Sequence, residues 1–138
     1  MDDADLDRFV QAQAGVWEQA LAELTAGAKR SHWMWFVFPQ IAGLGHSDMT
    51  RRYAIKDLAE ARAYLAHPLL GPRLLACTAA MNRHQGRSAT SILGQPDDVK
   101  FRSSMTLFAA ADPQEPAFGE ALARYFAGEA DAATLARL

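Results

Sequence analysis

Cysteine is almost missing from this chain of 138 residues: Cys77 stands alone, so no intramolecular disulfide can form and a disulfide-stapled scaffold is excluded. Valine and isoleucine are scarce, seven together against 28 alanines. That balance removes the β-branched strand formers and leaves the strongest helix former abundant. Long apolar runs are also lacking. The longest, Trp33 to Phe38, has six residues, far below the roughly 20 that cross a bilayer, so no membrane-spanning segment is expected. Neither charge is in excess, with 14 basic and 16 acidic side chains and a net charge of −2. Divided at Leu69, the chain carries nine acids and seven bases before the break and seven of each after it, so there is no polybasic arm. Binding to nucleic acid is disfavoured on that ground. The acidic opening Met1-Asp2-Asp3-Ala4-Asp5 lacks the positive charge and apolar run of a secretory leader. With the unpaired cysteine, it points to a cytoplasmic location.

What is present is apolar matter, 50% of the residues, enough for a packed core and too much for a disordered chain. The expectation is an all-α fold, a compact single-domain multihelical bundle over residues 1–138. Leu6, Phe9, Val10, Gln13, Val16, Trp17, Ala20, Leu21 and Leu24 recur at helical spacing, predicting one helix from a cap at Asp5 to a stop at Gly27. Asp57 and Glu60 have capping-box spacing before a helix over 58–66. His67-Pro68 and Gly71-Pro72 make a corner, after which Leu74, Leu75, Cys77, Thr78 and Met81 continue helically to Gly86. Ser88 can cap a short helix ending at Gly94, and Asp97 one running to about Ala110 on Val99, Met105, Leu107 and Phe108, with Phe101 elsewhere on the wheel. Asp112-Pro113 opens a helix burying Phe118, Leu122, Tyr125 and Phe126, and Asp131 caps a last turn. Ser31 to Phe38 fits a buried helix or a buried strand equally, and Pro39 to Thr50 reads as a loop.

Lys29-Arg30-Ser31-His32-Trp33-Met34-Trp35 runs two cations and an imidazole into two of the three tryptophans. Cations beside aromatic faces suit an anion that bears a ring, such as a nucleotide. Core packing explains the same tryptophans, and a solvated helix end the same cations. Gly43-Leu44-Gly45 could approach a phosphate, but it matches no established phosphate loop, and a simple turn explains it better. In Asp97-Asp98-Val99-Lys100-Phe101-Arg102-Ser103-Ser104, Asp98 and Arg102 can pair at i, i+4, Lys100 and Ser104 share a face, and the first-turn amides could draw an anion. Lys100 opposes the helix dipole from the first turn. His32, His46, His67 and His84 lack helical zinc spacing, so no metal is expected.

Ser31-His32-Trp33-Met34-Trp35-Phe36-Val37-Phe38-Pro39-Gln40, Gly43-Leu44-Gly45, Tyr53-Ala54-Ile55, Glu60-Ala61, Tyr64-Leu65, His67-Pro68, Leu70-Gly71, Asp97-Asp98 and Lys100 with Arg102 to Phe108 together resemble the uncharacterised bacterial domain family numbered 1810. The resemblance covers nearly the whole chain and implies a small, mainly helical domain with no established activity. Some members carry the label calpastatin. Inhibitors of that type are disordered segments that fold on their target, which the apolar content here opposes. Asp97 to Phe126 is also faintly similar to the later part of NADAR-type enzymes, helical proteins that act on ADP-ribose held through an N-glycosidic bond. That similarity implies a sugar-phosphate ligand near Lys100, although the Glu-containing aromatic segment of those enzymes has no counterpart. Glycosidic cleavage would need a carboxylate, for which Asp48, Asp97 and Asp98 are available.

The expected function is therefore binding of a phosphate-bearing, nucleotide-like small molecule, with hydrolysis as an open extension. Lys29, Lys100, Arg102 and Ser104 would hold the anion, Trp33 and Trp35 would form the wall, and His32 and Asp98 would be the catalytic pair, with no cofactor. The alternative is a non-catalytic protein-interaction domain whose partner the sequence does not name.

Overall fold

The computed structural model describes residues 3–138, with side chains from Asp5 onward. Among these residues lie ten helices: α1 (Asp3–Gln13), α2 (Trp17–Ala26), α3 (Met34–Val37), α4 (Asp48–Arg52), α5 (Leu58–Ala66), α6 (Leu70–Asn82), α7 (Ala89–Leu93), α8 (Asp97–Ala111), α9 (Pro116–Phe126) and α10 (Ala132–Leu135). The one β-type pairing described is an isolated parallel bridge between Ile41 and Ile55, closed by the Ala42 amide on the Ile55 carbonyl at 2.8 Å. The all-α class is thus observed. No described helix is long and apolar enough to cross a membrane.

The bundle is organised around α8. Phe101, Ser103, Ser104, Met105, Thr106, Leu107, Phe108 and Ala111 are all buried, and α5, α7, α9 and α10 pack around them. A helix buried on most of its circumference shows no single apolar stripe, which is why Phe101 fell off the expected face. Val99, expected on that face, is 59% exposed. Aromatic rings tie α8 to the rest: Phe38 meets Phe101 edge-on at 4.9 Å, Tyr64 meets Phe108 at 5.4 Å, and Phe9 meets Tyr64 at 5.1 Å. Each fully buried ring of this kind contributes about 1.5–3 kcal/mol by leaving water.

Several helix boundaries follow local chemistry. Asp57 accepts the Glu60 amide at 2.8 Å, Ser88 accepts the Ser91 amide at 3.0 Å and Asp131 accepts the Thr134 amide at 3.0 Å, as their spacing predicts. Others are corrected. The expected helix from Asp5 to Gly27 is two helices, broken where Gly15 adopts φ +73°, and Asp5 lies inside α1 rather than capping it. The break lets Gln13 turn inward, where its amide donates to the Phe36 carbonyl at 2.6 Å and to the Tyr64 hydroxyl at 3.1 Å.

Asp97 is the first residue of α8, with Pro96 at the cap position, so its carboxylate is free for other work. Asp112 ends α8, and Glu115 caps α9 by accepting the Ala117 amide at 3.1 Å. The ambiguous stretch 31–38 contains the single turn α3. Gly71 lies within α6 rather than at a corner, where a Cβ would come within 2.1 Å of the Leu65 carbonyl oxygen.

Candidate functional site

The site begins at the end of α2. Gly27 takes φ +79°, its amide bonds to the Leu24 carbonyl at 3.1 Å, and the Ala28 amide reaches the Glu23 carbonyl at 3.0 Å. This left-handed cap turns the chain so that Ala28 to Trp33 crosses towards α7 and α8. The Lys29 amide then bonds to the Ile92 carbonyl at the end of α7, at 2.8 Å.

Glu23 holds the crossing segment from below. Its nearly buried carboxylate accepts the Arg30 amide at 2.8 Å, the Ser31 amide at 3.1 Å, the Ser31 hydroxyl at 2.6 Å, the Trp33 indole N–H at 2.9 Å and the Gln19 side-chain amide at 3.1 Å. Burial pushes the Glu23 carboxyl upward, but donation from Ser31, Arg30 and Trp33 outweighs it and lowers the pKa to about 2. No feature of its sequence position announced this residue, because all its partners but Gln19 lie beyond the end of its own helix.

The segment so held delivers Lys29 and His32 to the rim of a hollow of about 270 Å³, completed by Met34, Trp35, Gln95, Pro96, Asp97 and Lys100. The Lys29 side chain is only 8% exposed. Its ammonium lies 2.9 Å from Asp97 Oδ2, donates to the Ser31 carbonyl at 2.7 Å and sits 5.0 Å from the Trp33 ring centroid. Lys100 Nζ is 3.9 Å from Asp97 Oδ1 and 5.2 Å from the Trp35 ring centroid. Two ammonium groups therefore share one carboxylate, leaving one positive charge uncompensated, with the exposed His32 beside them. The chain has three lysines in all, Lys29, Lys56 and Lys100, so two of them meet at this hollow.

Four expected site residues are elsewhere. Trp33 is fully buried in the core, and its indole serves Glu23. Arg102 is drawn to the segment after α9: Nε donates to the Glu129 carbonyl at 2.9 Å, Nη2 to the Ala130 carbonyl at 3.2 Å, and the guanidinium lies 5.7 Å from the Phe126 ring centroid. Asp98 accepts the Thr90 hydroxyl at 2.6 Å and does not pair with Arg102. Ser104 is fully buried, and its hydroxyl has no hydrogen-bond partner. Three amides of the first turn of α8 are also engaged, that of Asp98 on the Gly94 carbonyl at 2.9 Å and those of Val99 and Lys100 on the Pro96 carbonyl at 3.1 and 3.2 Å. An anion in the hollow would meet the ammonium groups of Lys29 and Lys100. Gly43 faces the Arg137 guanidinium, 2.7 Å from where a Cβ would stand. Among the described residues no group of three or more His, Cys, Asp or Glu side chains is placed to hold a metal ion.

A family model described as "Protein of unknown function (DUF1810)" matches residues 3–138. The chain belongs to DUF1810. This DUF1810 chain is similar to a solved structure, the crystal structure of the conserved hypothetical protein Rv1873 from Mycobacterium tuberculosis. The two share 55% identity and a TM-score of 0.97, over 99% of this chain and 98% of that one. No curated protein matches the chain.

Proposed function

We propose that the hollow between the Lys29–Trp35 segment and the start of α8 binds a small molecule that carries a phosphate and a ring. The observation that supports this reading is the meeting of Lys29 and Lys100, distant in sequence, around one recess walled by Trp35. Holding an ammonium 8% exposed costs desolvation, which its carboxylate and carbonyl partners offset. Phosphate oxygens would find two charge-assisted donors there, with His32 as a third, while the Trp35 face would meet the ring. Hydrolysis of such a ligand would draw on Asp97 and His32, since Asp98 is turned to Thr90.

A thermal-shift screen against nucleotides, ADP-ribose and sugar phosphates tests the proposal. A ligand that binds only the folded state, at 100 times its dissociation constant, adds about 2.7 kcal/mol and raises the melting temperature by several degrees. Product analysis of any hit reports bond cleavage separately. Flat melting curves across the panel would overturn the binding proposal and favour the protein-interaction domain.

A further inference from the structure

We infer that Asp97 is an internal counter-anion that sets the charge an anion needs to be held in this hollow: it weakens every anion, and leaves a dianionic phosphate monoester only the attraction that a monoanion would have in its absence. The inference rests on the anion-binding role proposed above. It deepens that role by naming the class of phosphate admitted.

Asp97 sits between the two lysines, with Oδ2 at 2.9 Å from Lys29 Nζ and Oδ1 at 3.9 Å from Lys100 Nζ. Its position is set by the fold. It is the first residue of α8 and Pro96 stands at the cap position, so the carboxylate is not spent on closing the helix. The Asp97 side chain is 17% exposed and that of Lys100 23%, so none of the three charges is fully screened by water.

The charge count decides which ligands can enter. An arriving anion gains attraction from two ammonium groups and loses part of it to repulsion from the carboxylate they share. A monoanion keeps the equivalent of one favourable pair. A phosphate monoester, carrying two charges, keeps twice that. Lys29 gives one hydrogen to the Ser31 carbonyl and faces Asp97 Oδ2 with another, which leaves one of its three for a ligand. Carboxylates and phosphodiesters are therefore disfavoured, although each brings an anionic oxygen of suitable size.

Size sharpens the class. The hollow measures about 270 Å³, at the small end for a small-molecule site. That is room for one phosphate and one ring, and a larger ligand would extend into solvent. The chemistry recognised is thus the phosphate monoester end of a small cyclic molecule.

The experiment is titration of the full chain with phenyl phosphate and with methyl phenyl phosphate at neutral pH, read by Trp fluorescence and calorimetry. The two probes share the ring and differ by one charge. The wild-type protein should bind phenyl phosphate at least about tenfold more tightly. In Asp97→Asn, both probes should bind more tightly than to the wild type, and methyl phenyl phosphate should reach the affinity that phenyl phosphate has for the wild type. Asp97→Ser, which also removes the charge, should behave in the same way and covers the case in which the asparagine variant folds poorly. Equal wild-type affinities for the two probes, or weaker phenyl phosphate binding in the variants, would overturn the inference while leaving anion binding intact. Failure of the wild type to bind phenyl phosphate would overturn both readings together.

Discussion

The Trp33 indole N–H donates to Glu23 Oε1 at 2.9 Å inside the protein, and the same oxygen accepts the Arg30 and Ser31 amides at 2.8 and 3.1 Å. One carboxylate therefore anchors a core tryptophan and shapes the segment that presents Lys29 and His32. Glu23→Ala would leave these donors without an acceptor, at about 1–3 kcal/mol for each one that water does not reach. Its melting temperature should fall by at least about 5 °C, with a changed Trp emission spectrum. An unchanged melt would show that the segment holds itself.

Acid sensitivity follows from the same group. The folded carboxyl titrates at about 2 against an ordinary 4.5, so its contribution to stability is complete above pH 4.5 and is lost as the pH falls towards 2. Glu23→Gln should be less stable than the wild type at neutral pH, and the gap should close across that window. The other carboxylates titrate in both proteins, so denaturant curves taken at each pH and subtracted isolate Glu23.

Gly71 is a packing requirement. A methyl group there would meet the backbone oxygen of Leu65 at 2.1 Å, and backbone cannot swing aside as a flexible side chain can. Alanine ordinarily gains about 1 kcal/mol over glycine inside a helix. Gly71→Ala should nonetheless lower stability by about 1–3 kcal/mol, because α5 and α6 must separate. A stabilised variant would contradict the close approach.

Lys100 and Arg102, two residues apart, should behave differently. Lys100→Met keeps an apolar stem against Trp35 and removes the charge, so phenyl phosphate affinity should fall about tenfold or more. Arg102→Ala should destabilise the end of the chain by about 1 kcal/mol, since it frees the Glu129 and Ala130 carbonyls, and should leave that affinity within about twofold.

Cys77 is buried against the core, and burial pushes its thiol up to about 12. The native protein should resist thiol reagents at neutral pH, and labelling should track global unfolding in denaturant. Rapid labelling of the folded protein would show that α6 opens locally.

The caps at Asp57, Ser88 and Asp131 were legible because a side chain that bonds an amide three residues on leaves its signature in adjacent sequence. The break at Gly15 was not, since the apolar period runs through it and the inward turn of Gln13 depends on Phe36 and Tyr64. The site was half legible. Lys29, His32, Trp35 and Lys100 line one hollow, whereas Trp33, Arg102, Asp98 and Ser104 do not. Charge and aromaticity mark a residue as able to bind, and carry no information on which way its side chain will point.

Alanine abundance, helical period and capping spacing are short-range properties, and they were enough to specify an all-α chain with Cys77 and most of its aromatic rings inside. The meeting of Lys29 with Asp97, the turning away of Arg102 towards Glu129 and the hold of Glu23 on the Arg30–Trp33 segment came from long-range packing. Such contacts exist only once α2, α7 and α8 are placed together. The free energy that orients each charged group belongs to partners remote along the chain, and no local pattern encodes them.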